Sequence, residues 1–368
     1  MREMKVVMTG TRGIPDIMGG VETHCQELCP RLAASGMDIT VVRRSAYAND
    51  GLTAWKGVKL KDIPAPKKKS FEAIVHTFRA VNYAARIHAD ILHVHADGPG
   101  LVTPYAKLRG LKVVFTCHGP EYDRDKWGSV AKTVLRLGER LAIKYADDVI
   151  VISRTIEKLV REKYGRTKHV HYIPNGVNAP EICSYPEYFQ ELGIEPGRYV
   201  LGMCRFVPEK RLQDLVDACR GLEGYKLVLA GDTDFEDDYS RQLKADARKS
   251  GAVLTGFVRG RKLHALLSHA ACFVLPSSHE GLPIALLEAM SYGRKVVVSD
   301  IPANLEVGLP EHCYFPCGDV ESLRNRLSDQ LQDETEPQYE LSKYDWDTIA
   351  DQTRQVYENF VYLPPNEH

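Results

Sequence analysis

No run of about 18 uncharged apolar residues occurs in the 368-residue chain, so no membrane-spanning helix is expected. Met1-Arg2-Glu3-Met4 passes straight into the strand-like Lys5-Val6-Val7-Met8, which leaves no room for a secretory leader, and a cytoplasmic setting is expected. Cysteine is sparse and odd in number: nine residues, scattered without a disulfide framework, read as reduced thiols. Cys25/Cys29 and Cys313/Cys317 are each spaced by four. That is not a common zinc spacing and no histidine pair accompanies it, so buried small hydrophobes are expected and no metal. The first strand is not followed by Gly-x-Gly-x-x-Gly, which weakens any nicotinamide reading. Net charge is nearly absent too. Lys plus Arg (48) against Asp plus Glu (49) argues against a nucleic-acid binder, and 44% apolar with 26% charged residues excludes a disordered or fibrous chain.

That near-neutral total hides two opposite halves. Residues 1–178 carry 29 basic and 18 acidic side chains, a net of +11; residues 179–368 carry 19 and 31, a net of −12. Each half repeats the same rhythm of β-rich run, turn and amphipathic helix. In the first, strands are predicted at 5–10, 38–43, 90–95, 112–117, 148–152 and 169–173, with helices at 20–35, 71–88, 129–146 and 154–164. After Pro174-Asn175-Gly176 the rhythm restarts. Strands at 199–204, 226–230, 252–255, 272–276 and 295–299 alternate with helices at 211–222, 237–249, 260–269, 282–293 and 320–332. Alternation of this kind, made twice, predicts an α/β protein of two doubly wound domains with parallel sheets, 1–178 and 179–345. A last helix near 346–361, within 346–368, is placed to cross back onto the first domain.

Ligands of doubly wound sheets bind beyond the carboxyl ends of the strands, and the polar clusters of this sequence lie there. After strand 199–204 come Arg205 and Lys210, five apart across a turn that opens a helix. Cations at a helix N-terminus suit a diphosphate; a solvated basic loop is the competing reading. After strand 272–276 come Ser277-Ser278-His279-Glu280-Gly281-Leu282-Pro283 and the helix Ile284-Ala285-Leu286-Leu287-Glu288-Ala289-Met290. Gly281 permits close backbone approach and Pro283 suits a first turn. The helix is apolar nearly all round apart from Glu288, which predicts a buried carboxylate paired with an internal cation or with ligand hydroxyls such as a ribose diol. Phe257 and Val258 follow Gly256 at a strand tip, either as core or as the wall of a base pocket. In the first half, strand 5–10 leads through a long loop to Gly19-Gly20, whose N–H groups can approach an anion. Strand 112–117 ends at His118, which is either structural or catalytic.

The glycine pair, the later histidine, Arg205-Phe-Val-Pro-Glu-Lys210 and Glu280-x7-Glu288 occur in that order. Together with Pro174-Asn175-Gly176-Val177 they resemble the retaining glycosyltransferases of family 4, which have the GT-B fold of two Rossmann-like domains facing across a cleft. The resemblance spans nearly the whole chain, and Gly10-Thr-Arg-Gly-Ile-Pro with Gly19-Gly20-Val-Glu-Thr looks like a bacterial subgroup that includes rhamnosyltransferases. Asn178 departs from the aspartate common after Asn-Gly-Val.

The resemblance implies transfer of a sugar from a nucleotide-sugar donor, with UDP favoured over dTDP or GDP, to a hydroxyl of a saccharide or lipid diphosphate-linked acceptor. It implies retention of configuration by a front-face reaction and no cofactor. Arg205 and Lys210 would neutralise the leaving diphosphate. Backbone at Gly19, Gly20, Gly281, Leu282, Pro283 and Ile284 would assist. Glu288 would hold the ribose, and Glu280 and His118 would contact the donor sugar. Asp232-Thr233-Asp234 is read by the same resemblance as a loop and not a metal site. Two other readings are a nucleotide-sugar epimerase of the same architecture and a non-catalytic nucleotide-sugar binder.

The resemblance also makes the basic half the acceptor side. Lys56, Lys59, Lys61 and Lys67-Lys68-Lys69 precede helix 71–88. Lys126, Trp127, Lys132, Arg136, Arg140 and Lys144 lie on or before helix 129–146, with Leu135, Leu137, Leu141 and Ile143 supplying apolar surface. Such a helix either lies on an anionic membrane or packs its apolar side on the sheet.

Overall fold

In the computed structural model the described residues are 3–48, 50–66, 72–120, 122, 128–233 and 236–362, the last two by backbone only. Lys67-Lys68-Lys69, Glu121, Lys126, Trp127 and Asp234 lie outside them.

The chain forms two compact units. The first runs from Met1 to Gly176 and takes in the segment from Tyr344 onward; the second is Val177–Lys343. The first unit contains β1 (Lys5–Thr9), α1 (Gly20–Ala34), β2 (Asp38–Arg44), β3 (Ala54–Trp55), β4 (Val58–Ile63), α2 (Glu72–Arg86) and β5 (Ile91–His95). It continues with α3 (Asp97–Gly100), α4 (Thr103–Leu108), β6 (Lys112–Cys117), α5 (Ser129–Tyr145), β7 (Asp148–Val151), α6 (Arg154–Tyr164) and β8 (Val170–Tyr172). Its eight-stranded sheet has the order β3-β4-β2-β1-β5-β6-β7-β8 and is parallel except for the β3–β4 pair. The second unit holds α7 (Pro186–Leu192), β9 (Tyr199–Met203), α8 (Leu212–Ala218), β10 (Lys226–Ala230), α9 (Asp238–Lys249), β11 (Val253–Gly256) and α10 (Gly260–His269). Then follow β12 (Cys272–Leu275), α11 (Ile284–Ser291), β13 (Lys295–Ser299), α12 (Pro302–Leu305), β14 (Tyr314–Phe315) and α13 (Val320–Gln332). Its sheet order is β11-β10-β9-β12-β13-β14.

The chain closes with α14 (Trp346–Tyr362), which belongs to the first unit. Trp346, Ile349, Ala350, Val356 and Tyr357 join Leu28 and Leu32 of α1 in one buried cluster. Burying side chains such as Ile349 and Val356 contributes about 1.5–3 kcal/mol each.

Strand and helix periods account for most of the observed elements. α6 occupies the predicted 154–164 because Ser153 Oγ accepts the Ile156 N–H (3.2 Å) and Gly165 closes it in a left-handed conformation. β4 is an addition: Val58 and Leu60 are buried while Lys59 and Lys61 point outward, a clean alternation that its lysines disguised as a charged loop. α8 stops at Ala218 rather than 222, since Gly221 turns at φ +76°.

Among the parallel strands of each sheet the order reverses once. In the first unit β1 lies between β2 and β5; in the second β9 lies between β10 and β12. A crevice opens beyond the carboxyl ends of strands at such a reversal, because the connections leave on opposite faces.

Candidate active site

In the second unit both predicted clusters stand at that reversal. β9 ends at Met203 and delivers Cys204 and Arg205; Phe206 turns inward, 1% exposed. Pro208–Lys210 then form one 3-10 turn, and Arg211 adopts the left-handed region at φ +48° before α8. β12 delivers Ser277 to Glu280. The two loops are tied together: the Glu209 carbonyl accepts the Ser278 N–H (2.9 Å) and the Ser278 hydroxyl (3.2 Å). At their mouth Lys210 Nζ donates to Glu280 Oε1, with both side chains mostly shielded (16% and 9% exposed). Seventy positions apart in sequence, these two form one ion pair. A shielded pair of this kind leaves each charge dependent on the other, so either partner alone would be an uncompensated charge. Burial pushes the neighbouring Cys204 thiol up to about 12, which keeps it protonated beside the pair.

α11 begins at Ile284, with Pro283 as N-cap contributing no N–H. Its apolar residues Ile284, Leu286, Leu287, Ala289 and Met290 are buried, yet Glu288 is half-buried on the stripe it shares with Ala285 and Ser291. The expected buried carboxylate is therefore corrected: a helix with five of its eight residues buried still turns one stripe outward, and Glu288 falls on it. Leu282 and Pro283 are buried. Phe257, 38% exposed after Gly256, is not core, while Val258 is buried. Asp232 is engaged by Lys244 Nζ (2.7 Å) and by the Thr233 N–H (2.7 Å).

In the first unit the loop after β1 is held by an ion pair the sequence did not single out. Glu22, in the first turn of α1, accepts the Thr11 hydroxyl (3.2 Å), the Arg12 N–H (3.0 Å) and Arg12 Nε (3.1 Å). Both side chains are close to fully shielded, at 11% and 9% exposure. Burial raises the Glu22 carboxyl, but the Arg12 guanidinium and backbone N–H bonds outweigh it, holding the group below its ordinary range. Gly19 sits at φ +146°, and a Cβ there would overlap the Glu22 carboxylate and the Arg12 guanidinium. Gly10, at φ +99°, is pressed against the His95 carbonyl in the same way. Glycine is required at both points by close approach as well as by φ. Gly20, with open space where its Cβ would be, is not under that constraint.

His118 follows β6 and meets two histidines, one of which stacks on a third. His95 Nδ1 lies 3.0 Å from His118 Nε2, the His95 ring stacks on His93 at 4.2 Å, and His24 of α1 sets its ring edge-on to His118 at 5.0 Å. His24 Nδ1 bonds Asn175 Oδ1 (3.0 Å); His93 bonds the Tyr357 hydroxyl and the Thr116 hydroxyl, each at 2.6 Å. Burial holds His24 neutral, down to about 4 despite the Asn175 bond, and holds His93 and His95 well below 6.5. The strand's His93-x-His95 was the available signal, since alternate residues share a sheet face. His24 had none beyond its place after Gly19-Gly20-Val-Glu-Thr.

Two sets of ligand-type side chains converge among the described residues: His24, His95 and His118, and Asp97, Cys117 and Glu139, with donor atoms in each set within 4.8 Å. Glu139 of the second set is already engaged by the Tyr122 hydroxyl (3.0 Å), Lys163 Nζ (3.2 Å) and the Tyr164 hydroxyl. Cys25, Cys29 and Cys313 are buried as expected of small hydrophobes, but Cys317 is exposed, because it follows the end of the edge strand β14.

The predicted basic helix divides its apolar residues. On α5, Leu135 and Ile143 are buried, whereas Val130 and Leu137 face outward (78% and 47% exposed) beside Arg136, Arg140 and Lys144. No helix among the described residues is long and apolar enough to cross a membrane.

Two family models match in succession. Glycosyltransferase Family 4 covers residues 18–180 and Glycosyl transferases group 1 covers residues 184–345. The UDP-Gal:alpha-D-GlcNAc-diphosphoundecaprenol alpha-1,3-galactosyltransferase of Escherichia coli is 30% identical over 230 residues, 58% of this chain and 59% of that protein, so the chain spans about three-fifths of that relative's length. Among solved structures, the sucrose-phosphate synthase of Thermosynechococcus elongatus superposes with a TM-score of 0.83 at 21% identity, covering 98% of this chain and 99% of that one. Anabaena Alr3699/HepE in complex with UDP-glucose gives 0.77 at 19% identity, covering 98% and 100%.

Proposed function

We propose the following for this chain, which belongs to the family 4 glycosyltransferases: it moves a sugar from a nucleoside diphosphate donor, UDP-linked by preference, to a hydroxyl of a saccharide or lipid diphosphate-linked acceptor. The transfer retains configuration, needs no metal and serves cell-surface polysaccharide synthesis. The observation that carries the donor side is the Lys210–Glu280 pair at the sheet reversal beside Arg205. Departure of a diphosphate needs positive charge at the loop mouth, which Arg205 and Lys210 supply once Lys210 turns from Glu280 to the donor. Glu280 holds Lys210 until donor arrives and then faces the transferred sugar. Backbone around Gly281, Leu282 and Ile284 approaches the phosphates, Glu288 on its half-open stripe takes the ribose diol, and Phe257 with Val258 lines the base. Gly19, Gly20 and His118 are the first unit's contribution to the same donor.

A UDP donor draws support from the UDP-glucose complex of the Anabaena protein and from the UDP-Gal specificity in the name of the Escherichia coli relative, which also supports a diphosphate-linked lipid acceptor. The direct test is incubation with a panel of UDP-, dTDP- and GDP-sugars, with and without lipid diphosphate-linked saccharides. Acceptor-dependent release of nucleoside diphosphate is expected. Epimerised sugar, or binding with neither release nor epimerisation, would replace the transferase with one of the other two readings.

For an acceptor held in a bilayer, the outward face of α5 is the contact surface proposed, because it mixes Val130 and Leu137 with three cations. Co-sedimentation with anionic liposomes is expected at low ionic strength, with loss as salt screens the cations. Failure to sediment at low salt would favour a soluble acceptor.

A further inference from the structure

We propose that His24, His95 and His118 form a three-imidazole site for one divalent transition-metal ion of the zinc class, and that an ion there inhibits sugar transfer by capturing His118. The inhibitory half rests on His118 serving the donor as proposed above; the binding half stands on geometry alone.

Three elements bring these rings together: α1 carries His24, β5 ends at His95, and His118 follows β6. One donor atom from each lies within 4.8 Å of the others, and His95 Nδ1 is already 3.0 Å from His118 Nε2. Tetrahedral zinc at about 2.0–2.1 Å from nitrogen asks for nitrogens roughly 3.3 Å apart, so a small inward turn of one ring completes the set. His118 can make it, since it alone of the three is half-buried while His24 and His95 are 2% and 0% exposed. The same partial exposure is the entry path and leaves the fourth position open.

The chemistry of the rings agrees. Asn175 Oδ1 accepts the His24 Nδ1 hydrogen, which leaves Nε2 bare; partners of this kind fix the tautomer of metal-bound histidine.

The test uses Co2+ as probe on metal-free, full-length protein, read by visible absorption. One equivalent with a nitrogen-ligand d–d spectrum is expected. His118→Ala, at the half-buried position, should abolish tight binding. Asn175→Ala keeps all three ligands and should weaken it about 10–100-fold. Circular dichroism checks that each variant is folded. Zn2+ should inhibit transfer with the same occupancy, and chelation should restore it. Absence of a Co2+ spectrum would overturn the site. So would a thiolate charge-transfer band, which would assign the ion to cysteines such as Cys25 and Cys29, or binding as tight in folded His118→Ala as in the parent. If metal-free protein transfers no sugar, the functional reading fails while the Co2+ titration still decides the site.

Discussion

Glu280→Ala is expected to lower sugar transfer by about 10²–10⁴-fold, the range lost when a positioned acid–base or charge-stabilising group is removed. UDP binding should survive, because the phosphates are assigned to Arg205, Lys210 and backbone. The ion pair makes the outcome specific. In the parent, Glu280 holds Lys210 at the loop mouth; without the carboxylate Lys210 is released to the phosphates, so UDP affinity should hold or rise while turnover collapses. Lys210→Ala is the complementary variant. It should weaken UDP more than UMP, since the lost charge serves the second phosphate. Isothermal titration with both nucleotides, beside initial rates of transfer, separates the two. A Glu280→Ala protein that transfers at near parental rate would sink the assignment, and so would a Lys210→Ala protein that weakens UDP and UMP equally.

Glu22→Ala should cost the first unit about 3–5 kcal/mol, the loss typical of breaking a buried ion pair from one side. The carboxylate is 9% exposed and accepts from the Thr11 hydroxyl, the Arg12 N–H and two nitrogens of the Arg12 guanidinium, so its removal takes a shielded anionic partner from that cation. Fluorescence can follow this unit by itself: the chain's three tryptophans, Trp55, Trp127 and Trp346, all lie outside Val177–Lys343. The deficit should depend on pH in a defined direction. The native carboxyl is held below its ordinary 4.5, so its contribution is complete above that value and is lost as pH falls through the lower native value. Parent and variant should therefore converge in acid. A denaturant midpoint unchanged at pH 7 would show that Arg12 and Glu22 do not hold the loop.

Much of the architecture was legible because it is written in local periods. Lys5-Val-Val-Met and Lys295-Val-Val-Val are short, β-branched apolar runs of the kind that buried parallel strands show. Strand tips could thus be located, and with them Arg205, Lys210, His118 and Glu280. β4 escaped since lysines on its outer face resembled a charged loop, and the helix carrying Glu288 looked wholly buried because composition does not say which stripe lacks a neighbour.

What the sequence by itself determined is the pair of doubly wound units, their restart after Pro174-Asn175-Gly176, and which residues follow each strand. Only the tertiary structure decided which of those residues meet. Lys210 pairs with Glu280 because β9 and β12 are neighbours at a reversal of strand order. His24, His95 and His118 converge because β5 and β6 are neighbours in the sheet and the His24 ring of α1 reaches both His95 and His118, and α14 belongs to the first unit although the second separates it in sequence. Periodicity is set by neighbours a few residues apart. Which strand lies beside which is set by the burial of whole sheet faces, and that information is not local.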